Sequence, residues 1–187
     1  MTKYSVCSPV GGYGNHLRWL LILSKEFSNP YHNIDKNVFL KTLIYPSNRT
    51  HDNWLKFEWR YRQKIKDTID FSHEIQDVVD LDKNNKIIVM ISDPDNALTS
   101  YIKFNKKLNG HTPITFRNHI RRDNKNNLEF KLPENSQKFV IESDILYNRI
   151  LDKKTYDSLV DFYNIENVYE SAQTIHELWF DLHERTN

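Results

Sequence analysis

Residues 3–23 decide the fold, and they read KYSVCS, PVGGYGN and HLRWLLIL in succession. Residues 3–8 are short, partly apolar and typical of a β-strand. Residues 9–15 contain three of the four glycines of the chain and predict a tight turn. Residues 16–23 are too apolar for a surface helix, so they predict a helix buried against a sheet. A strand, a glycine-rich turn and a helix in this order allow main-chain N–H groups to bind a phosphate at the helix N-terminus.

Later segments continue the alternation of strands and helices. Residues 86–91 form an apolar run, KIIVMI, which is typical of a central parallel strand covered on both faces. The sequence after this run favours a helix start, and we expect a helix over residues 95–106. The remaining expected elements are strands at 38–45 and 139–141 and helices at 54–65, 153–162 and 168–183.

This alternation implies a three-layer α/β/α fold with a mostly parallel central sheet and a helical C-terminus. We expect a single domain over residues 1–187, because the chain has the length of one ordinary domain. Residues 111–133 are polar, basic and rich in Asn. They predict a long mobile excursion from the domain.

Composition limits the classes of function. The 26 Lys and Arg residues nearly balance the 25 Asp and Glu residues, so the net charge is +1. Non-specific nucleic-acid binding needs a strong basic excess, so we expect no nucleic-acid partner. Cys7 is the only cysteine, which excludes an intramolecular disulfide and a Cys-based zinc site. No apolar run reaches about 18 residues and no signal-peptide pattern opens the sequence, so we expect a cytoplasmic protein without a membrane partner.

A second candidate site follows the strand expected at residues 86–91. Residues 90–104 read MISDPDNALTSYIKF. They begin at the carboxyl end of that strand, where open α/β sheets bind their ligands. Asp93 and Pro94 also suit the start of a helix, with Asp93 as its N-cap.

The two blocks together resemble the sulfotransferases that use 3′-phosphoadenosine 5′-phosphosulfate. Residues 9–21, PVGGYGNHLRWLL, are similar to the loop and helix with which that family holds the 5′-phosphosulfate. Residues 90–104 are similar to the block that holds the 3′-phosphate. His73 precedes this block at a spacing similar to that of the family's catalytic His. The positions of the second block that match in register are Asp93, Pro94, Ser100, Tyr101 and Phe104.

The resemblance implies a P-loop NTPase-like fold and sulfuryl transfer to a hydroxyl or amine acceptor, without a metal. His73 is the expected general base, with His51 as a second candidate. The acceptor is a small molecule or a saccharide that the sequence does not identify, and the oligomeric state is equally open. The residues expected to bind the nucleotide, as 3′-phosphoadenosine 5′-phosphosulfate or as its bisphosphate product, are Gly11, Gly12, Tyr13, Gly14, Asn15, His16, Arg18, Ser92 and Ser100.

The chain departs from the family pattern at two cationic positions. Val10 replaces the loop Lys, and Ser92 replaces the Arg that binds the 3′-phosphate. Arg18, or a residue of the basic segment 111–133, is a candidate for the missing cation. Because of these departures, a non-catalytic binding protein with this fold stays open as an alternative.

A metal-dependent nucleotide-sugar glycosyltransferase is the other alternative. Asp93 and Asp95 form an Asp-x-Asp pattern after an apolar strand. Paired carboxylates in this position hold a divalent metal on a diphosphate. Residues 11–15, GGYGN, also resemble the start of some fucosyltransferases. Dependence on a metal would separate this activity from sulfuryl transfer.

Overall fold

Four parallel strands form the centre of the fold. In the computed structural model, the described residues are 2–27, 69–105, 108 and 110–184. The strands are β1 (Thr2–Cys7), β2 (Ile69–Ser72), β3 (Asn84–Ile91) and β4 (Ser136–Glu142). They pair in the order β2-β1-β3-β4, and every pairing is parallel. The α-helices of the described part are α1 (Gly14–Ile22), α2 (Pro94–Asn105), α3 (Pro113–Glu129), α4 (Lys153–Tyr163) and α5 (Tyr169–Glu184).

The strand β3 is apolar because the chain covers both of its faces. Ile87, Ile88, Val89 and Met90 are all 0% exposed. Ile88 and Met90 belong to a core that also contains residues of α1, α4 and α5. Ile87 and Val89 pack on the opposite face, against Ile75 and the segment after α3. The expected α/β class with a buried parallel sheet is therefore confirmed.

Helix α4 is attached to the sheet by polar contacts as well as by packing. The buried Tyr163 hydroxyl donates a hydrogen bond to the carbonyl oxygen of Ser5 at 2.5 Å. Burial raises the pKa of Tyr163, so this hydroxyl stays protonated and keeps its role as donor. Lys86 Nζ donates to the carbonyl oxygen of Phe162 at 2.7 Å. These contacts fix the end of α4 over β1 and β3.

The mobile excursion expected at residues 111–133 is wrong, because Pro113–Glu129 form helix α3. Thr112 caps it, since Thr112 Oγ1 accepts the Thr115 N–H at 3.2 Å and Thr115 Oγ1 accepts the Thr112 N–H at 2.8 Å. Pro113 occupies the first turn, where its missing N–H costs nothing. At the other end, Lys138 Nζ donates to carbonyl oxygens of the last turn. A cation in that position also interacts favourably with the helix dipole.

The buried face of α3 explains why its sequence resembles a loop. Phe116 and Ile120 begin an apolar stripe that packs against α2. The same face of the helix continues with two polar residues, Asp123 and Asn127, which are only 2% and 1% exposed. Polar residues thus occupy buried positions of the helical period, so the hydrophobic pattern ends halfway along the helix.

The other expected elements fall into three groups. The segments expected as β1, β3, β4, α1, α2, α4 and α5 are confirmed to within a few residues at their ends. The strand expected at 38–45, the helix expected at 54–65 and His51 lie outside the described residues. The short outer strand β2 is an addition that the sequence pattern does not predict. Within the described ranges, no helix has the length and apolar character needed to cross a membrane.

We predict that Thr112→Ala lowers the free energy of unfolding by about 1 kcal/mol, because the first turn of α3 loses its side-chain cap. Urea unfolding followed by circular dichroism measures the change. Thr99→Ala is the matched control, since Thr99 is exposed within α2 and caps no helix end. Equal stability of the Thr112→Ala and Thr99→Ala proteins would contradict the capping role.

Candidate functional site

The candidate site lies where β2, β1 and β3 end side by side. Cys7, at the end of β1, pairs with Ser72 of β2 and with Val89 of β3. The chain continues from these strands into His73, the glycine-rich loop 9–13 and Ser92. We call this region the carboxyl edge. It is the edge at which parallel α/β sheets bind ligands, and it brings the expected base and both expected nucleotide-binding blocks together.

The glycine-rich loop has an unusual backbone. Gly11 has a φ of 81° and Tyr13 a φ of 58°, whereas Gly12 between them is outside the positive-φ region. Alternation of this kind turns successive N–H groups towards one concave side, which suits an anion. Tyr13 is the N-cap of α1 but gives it no side-chain hydrogen bond, and the first turn has no acidic residue. The N–H groups of Gly14 and Asn15 therefore receive no side-chain cap and suit an anionic ligand, whereas the His16 N–H donates to the carbonyl oxygen of Tyr13 at 2.8 Å.

The glycines also let the loop pack closely on the strand ends. A Cβ atom on Gly12 would clash with both Ser8 Oγ and Ser92 Oγ. A Cβ atom on Gly11 would lie 2.5 Å from the carbonyl oxygen of Ala97 in α2. The loop is thus enclosed between the ends of β1 and β3 and the first turns of α2.

A cluster of buried hydroxyl groups lies beside this loop. Ser92, Ser100 and Ser143 are 3%, 5% and 0% exposed. The Tyr147 hydroxyl donates to the carbonyl oxygen of Gly11 at 3.2 Å. Burial raises the pKa of Tyr147, and the hydroxyl groups of the three serines act in the opposite direction. The hydroxyl groups of Ser92 and Ser143 lie near the Tyr147 hydroxyl, but among the described residues neither Oγ has a partner at full hydrogen-bonding geometry, so both retain capacity for a ligand.

His73 is held in one tautomer by the main chain. Its Nδ1 atom lies 2.8 Å from the carbonyl oxygen of Ser8. A carbonyl only accepts, so Nδ1 carries the proton and Nε2 of the neutral ring carries the lone pair. The Phe71 ring contacts the imidazole in a T-shaped arrangement, with ring centroids 5.3 Å apart. His73 is exposed, and Nε2 can accept a proton from a substrate at the carboxyl edge.

Two asparagines of α3, which sequence reasoning missed, support the carboxyl edge. Asn127 Nδ2 donates to the carbonyl oxygen of His73 at 2.9 Å, and its Oδ1 accepts the Ile75 N–H at 3.0 Å. Asn124 Oδ1 accepts the Ser92 N–H at 3.2 Å, and its Nδ2 donates to the Ser92 carbonyl oxygen at 2.8 Å. The helical spacing of Phe116, Ile120, Asp123 and Asn127 is the signal that would have found this face.

His16 and Arg18 make contacts elsewhere. His16 is buried between α1 and α5, where its Nε2 lies 3.0 Å from His176 Nδ1 and its ring stacks on Trp179 at 4.0 Å. An Arg18 nitrogen lies 3.4 Å from the carbonyl oxygen of Ile69, at the opposite end of β2 from His73. The structure therefore brings neither the His16 ring nor the Arg18 guanidinium to the carboxyl edge.

Asp93 and Asp95 both have structural partners. Asp93 Oδ1 accepts the N–H groups of Asp95 and Asn96 at 2.9 Å each, which is an N-cap for α2. Asp95 Oδ1 forms an ion pair with Arg117 Nε at 2.5 Å, which joins α2 to α3. In the described part of the chain, no three His, Cys, Asp or Glu side chains are grouped as a metal site. The contacts of the two aspartates favour the capping interpretation over metal binding.

The position of the missing loop cation is filled by packing. Val10 lies against the cluster of Ala97, Leu98, Phe116 and Ile120 between α2 and α3. Comparison of the chain with protein-family models, with curated proteins and with solved structures gives no match. The resemblance to sulfotransferases therefore stays a prediction from the two motif blocks and the spacing of His73.

We predict opposite tautomers for His73 and His176. The His73 Nδ1–H donates to Ser8, whereas the Nε2 atom of His176 lies 2.7 Å from the carbonyl oxygen of Asn148 and must carry the proton there. Long-range 1H–15N correlation spectra near pH 8 assign both rings in the neutral state. A proton on Nε2 of His73 would contradict the expected geometry, and His176 is the internal control.

We predict that His176 makes the protein less stable in mild acid. Burial lowers the pKa of His176, against smaller opposing effects of the Asn148 carbonyl and of Glu177. Below about pH 6.5 the unfolded chain therefore binds more protons at this residue than the folded protein does, so stability decreases as the pH is lowered. Above that pH the stabilising contribution of the neutral, buried His176 ring is fully present. Urea unfolding at about pH 7.5 and 5.5 measures the difference.

In this experiment, His176→Gln has a smaller loss of stability between the two pH values. His111→Gln is the control, because His111 is exposed in the turn before α3. An unchanged pH dependence in His176→Gln would show that other groups cause it.

Proposed function

We propose that this chain is a sulfotransferase with a P-loop-like fold. It would transfer a sulfuryl group from 3′-phosphoadenosine 5′-phosphosulfate to a hydroxyl or amine of a small molecule or saccharide. One observation carries the proposal: the ends of three adjacent parallel strands bring His73, the glycine-rich loop and Ser92 to one edge. A cytoplasmic location belongs to the same proposal.

The loop offers neutral donors for the 5′-phosphosulfate. Its alternating backbone at Gly11 and Tyr13 and the uncapped start of α1 both favour an anion. A non-glycine residue with positive φ, such as Tyr13, is costly and is found preferentially at binding sites. In this proposal, the main-chain N–H groups of Gly14 and Asn15 and of the loop before them hold the 5′-phosphate, except that of Gly12, which donates to the carbonyl oxygen of Pro9 at 3.1 Å.

The hydroxyl cluster offers donors for the 3′-phosphate. Ser92 Oγ is buried near the Tyr147 hydroxyl without a hydrogen bond of full geometry among the described residues, and Ser100 is buried on the next helix. Buried polar groups are almost always satisfied, so a ligand is a reasonable partner for Ser92. Arg117 brings a guanidinium to the first turn of α2, where it pairs with Asp95. We propose Arg117, from the basic segment, as the nearby cation in place of Arg18, and a bound 3′-phosphate would compete with Asp95 for it.

His73 is the proposed general base. Its Nδ1–H is engaged by Ser8, so Nε2 takes the proton of the acceptor hydroxyl as that oxygen becomes nucleophilic. The nucleotide supplies the sulfuryl group, and the chain supplies orientation and donors for the charge that develops on oxygen. The glycosyltransferase alternative receives less support, because Asp93 and Asp95 already serve α2 and Arg117.

We predict that adenosine 3′,5′-bisphosphate binds and stabilises the protein in the presence of EDTA. At 100 times the dissociation constant, the stabilisation is about 2.7 kcal/mol, and thermal unfolding or calorimetry measures it. Adenosine 5′-monophosphate, which lacks the 3′-phosphate, binds more weakly. Ser100→Ala weakens bisphosphate binding about fivefold, the effect of one lost hydrogen bond.

Thr99→Ala is the matched control for Ser100→Ala, since Thr99 is the exposed neighbour on the same helix. Absence of bisphosphate binding would overturn the proposed function. Equal binding of the monophosphate, with no effect of Ser100→Ala, would refute the assignment of the 3′-phosphate site.

A further inference from the structure

The polar face of α3 joins two loops of the carboxyl edge. Asn124 and Asn127 are three residues apart, so they project from the same side of the helix. Asn127 bonds the main chain of His73 and Ile75, just after β2. Asn124 bonds both main-chain groups of Ser92, just after β3. One helix therefore holds the loop of the proposed base and the loop of the proposed nucleotide site.

The chemistry of these contacts requires asparagine. Each side chain meets one main-chain N–H and one main-chain carbonyl, so it must accept and donate at once. Aspartate at neutral pH accepts only, whereas the Asn amide offers a carbonyl oxygen and an NH2 group on the same short side chain. Asn127 is 1% exposed, so water cannot replace a lost partner there without rearrangement.

The helix that carries both amides is itself fixed at its two ends. Thr112 caps its start, and Lys138 of β4 donates to carbonyl oxygens at its end. Phe116 and Ile120 pack it against α2. A rigid helix with two amides on one face sets the separation of the loops after β2 and β3, which lie on opposite sides of β1.

We propose that Asn124 and Asn127 are positioning residues that fix the nucleotide site and the base independently. Asn124 holds Ser92 in place for the nucleotide, and Asn127 holds His73 in place for the acceptor. The assignment of the two loops to nucleotide and acceptor rests on the proposed function. We call the four hydrogen bonds that Asn124 and Asn127 make to the two loops the clamp. The clamp is present in the protein without ligand and is tested separately.

The first test uses the unmodified protein without nucleotide. Scalar couplings across hydrogen bonds join the 15N nucleus of a donor amide to the 13C nucleus of the accepting carbonyl. We expect such couplings from Ser92 N to Asn124 Cγ and from Ile75 N to Asn127 Cγ. If neither coupling is observed and neither amide N–H exchanges slowly with water, the clamp does not exist, whatever the protein binds.

The second test uses Asn124→Asp, Asn127→Asp and the control Asn126→Asp. Asn126 is exposed on the same helix, so its replacement by Asp makes the same change of charge and shape. We expect Asn124→Asp to weaken adenosine 3′,5′-bisphosphate about fivefold, the effect of one lost hydrogen bond, while the His73 ring 15N shifts stay those of the unmodified protein. We expect Asn127→Asp to shift the His73 ring 15N signals and its tautomer ratio, with nucleotide affinity changed less than about twofold.

Asn124→Ala and Asn127→Ala replace the Asp variants if an added carboxylate prevents folding. Equal changes of nucleotide affinity and of the His73 signals in both variants would indicate a general structural role and would overturn the independent positioning. If the unmodified protein binds no nucleotide, the proposed function fails, and the couplings and His73 shifts still decide whether the clamp exists.

Discussion

The parallel pairing of β1 with both of its neighbours is the constraint on which the carboxyl edge depends. Cys7 is level with Ser72 on one side and with Val89 on the other, and the Ser8 N–H continues the ladder to the Ser72 carbonyl oxygen at 3.1 Å. Because parallel strands end at the same edge, the residues after each strand must meet there. A shift of one residue in either pairing would invert the faces of the strand and separate these loops.

Side-chain hydrogen bonds to main-chain groups then hold the loops of this edge in place. The Ser8 carbonyl oxygen accepts a hydrogen bond from His73, and the Gly11 carbonyl oxygen accepts one from Tyr147. The N–H and carbonyl groups of Ser92 are both bonded to Asn124. Each of these groups would be costly to bury without its partner. The loops therefore have few alternative conformations, which is what a site that orients two substrates requires.

Much of this fold follows from the sequence, because β1, β3 and the flanking helices have clear hydrophobic periods. The sequence also predicts that the glycine-rich loop and the block after β3 lie close together, since both follow apolar strands. Apolar spacing alone does not predict helix α3, because Asp123 and Asn127 occupy buried positions where the pattern expects hydrophobic residues; the helical spacing emerges only when these two polar residues are counted with Phe116 and Ile120. The contacts of His16 with α5 depend on residues 160 positions away, which local patterns do not reveal.

The two departures from the sulfotransferase pattern are linked by their surroundings. The half-buried Val10 packs against the apolar cluster between α2 and α3. Ser92 Oγ lies so close to Gly12 that a Cβ atom on Gly12 would approach it to 2.4 Å, and the Ser92 main chain is bonded by Asn124 of α3. Helix α3 thus contacts both positions, since its apolar residues pack against Val10 and its Asn124 amide holds the Ser92 backbone. An anion bound here would be held mainly by N–H and hydroxyl donors, whose orientation depends on the position of α3.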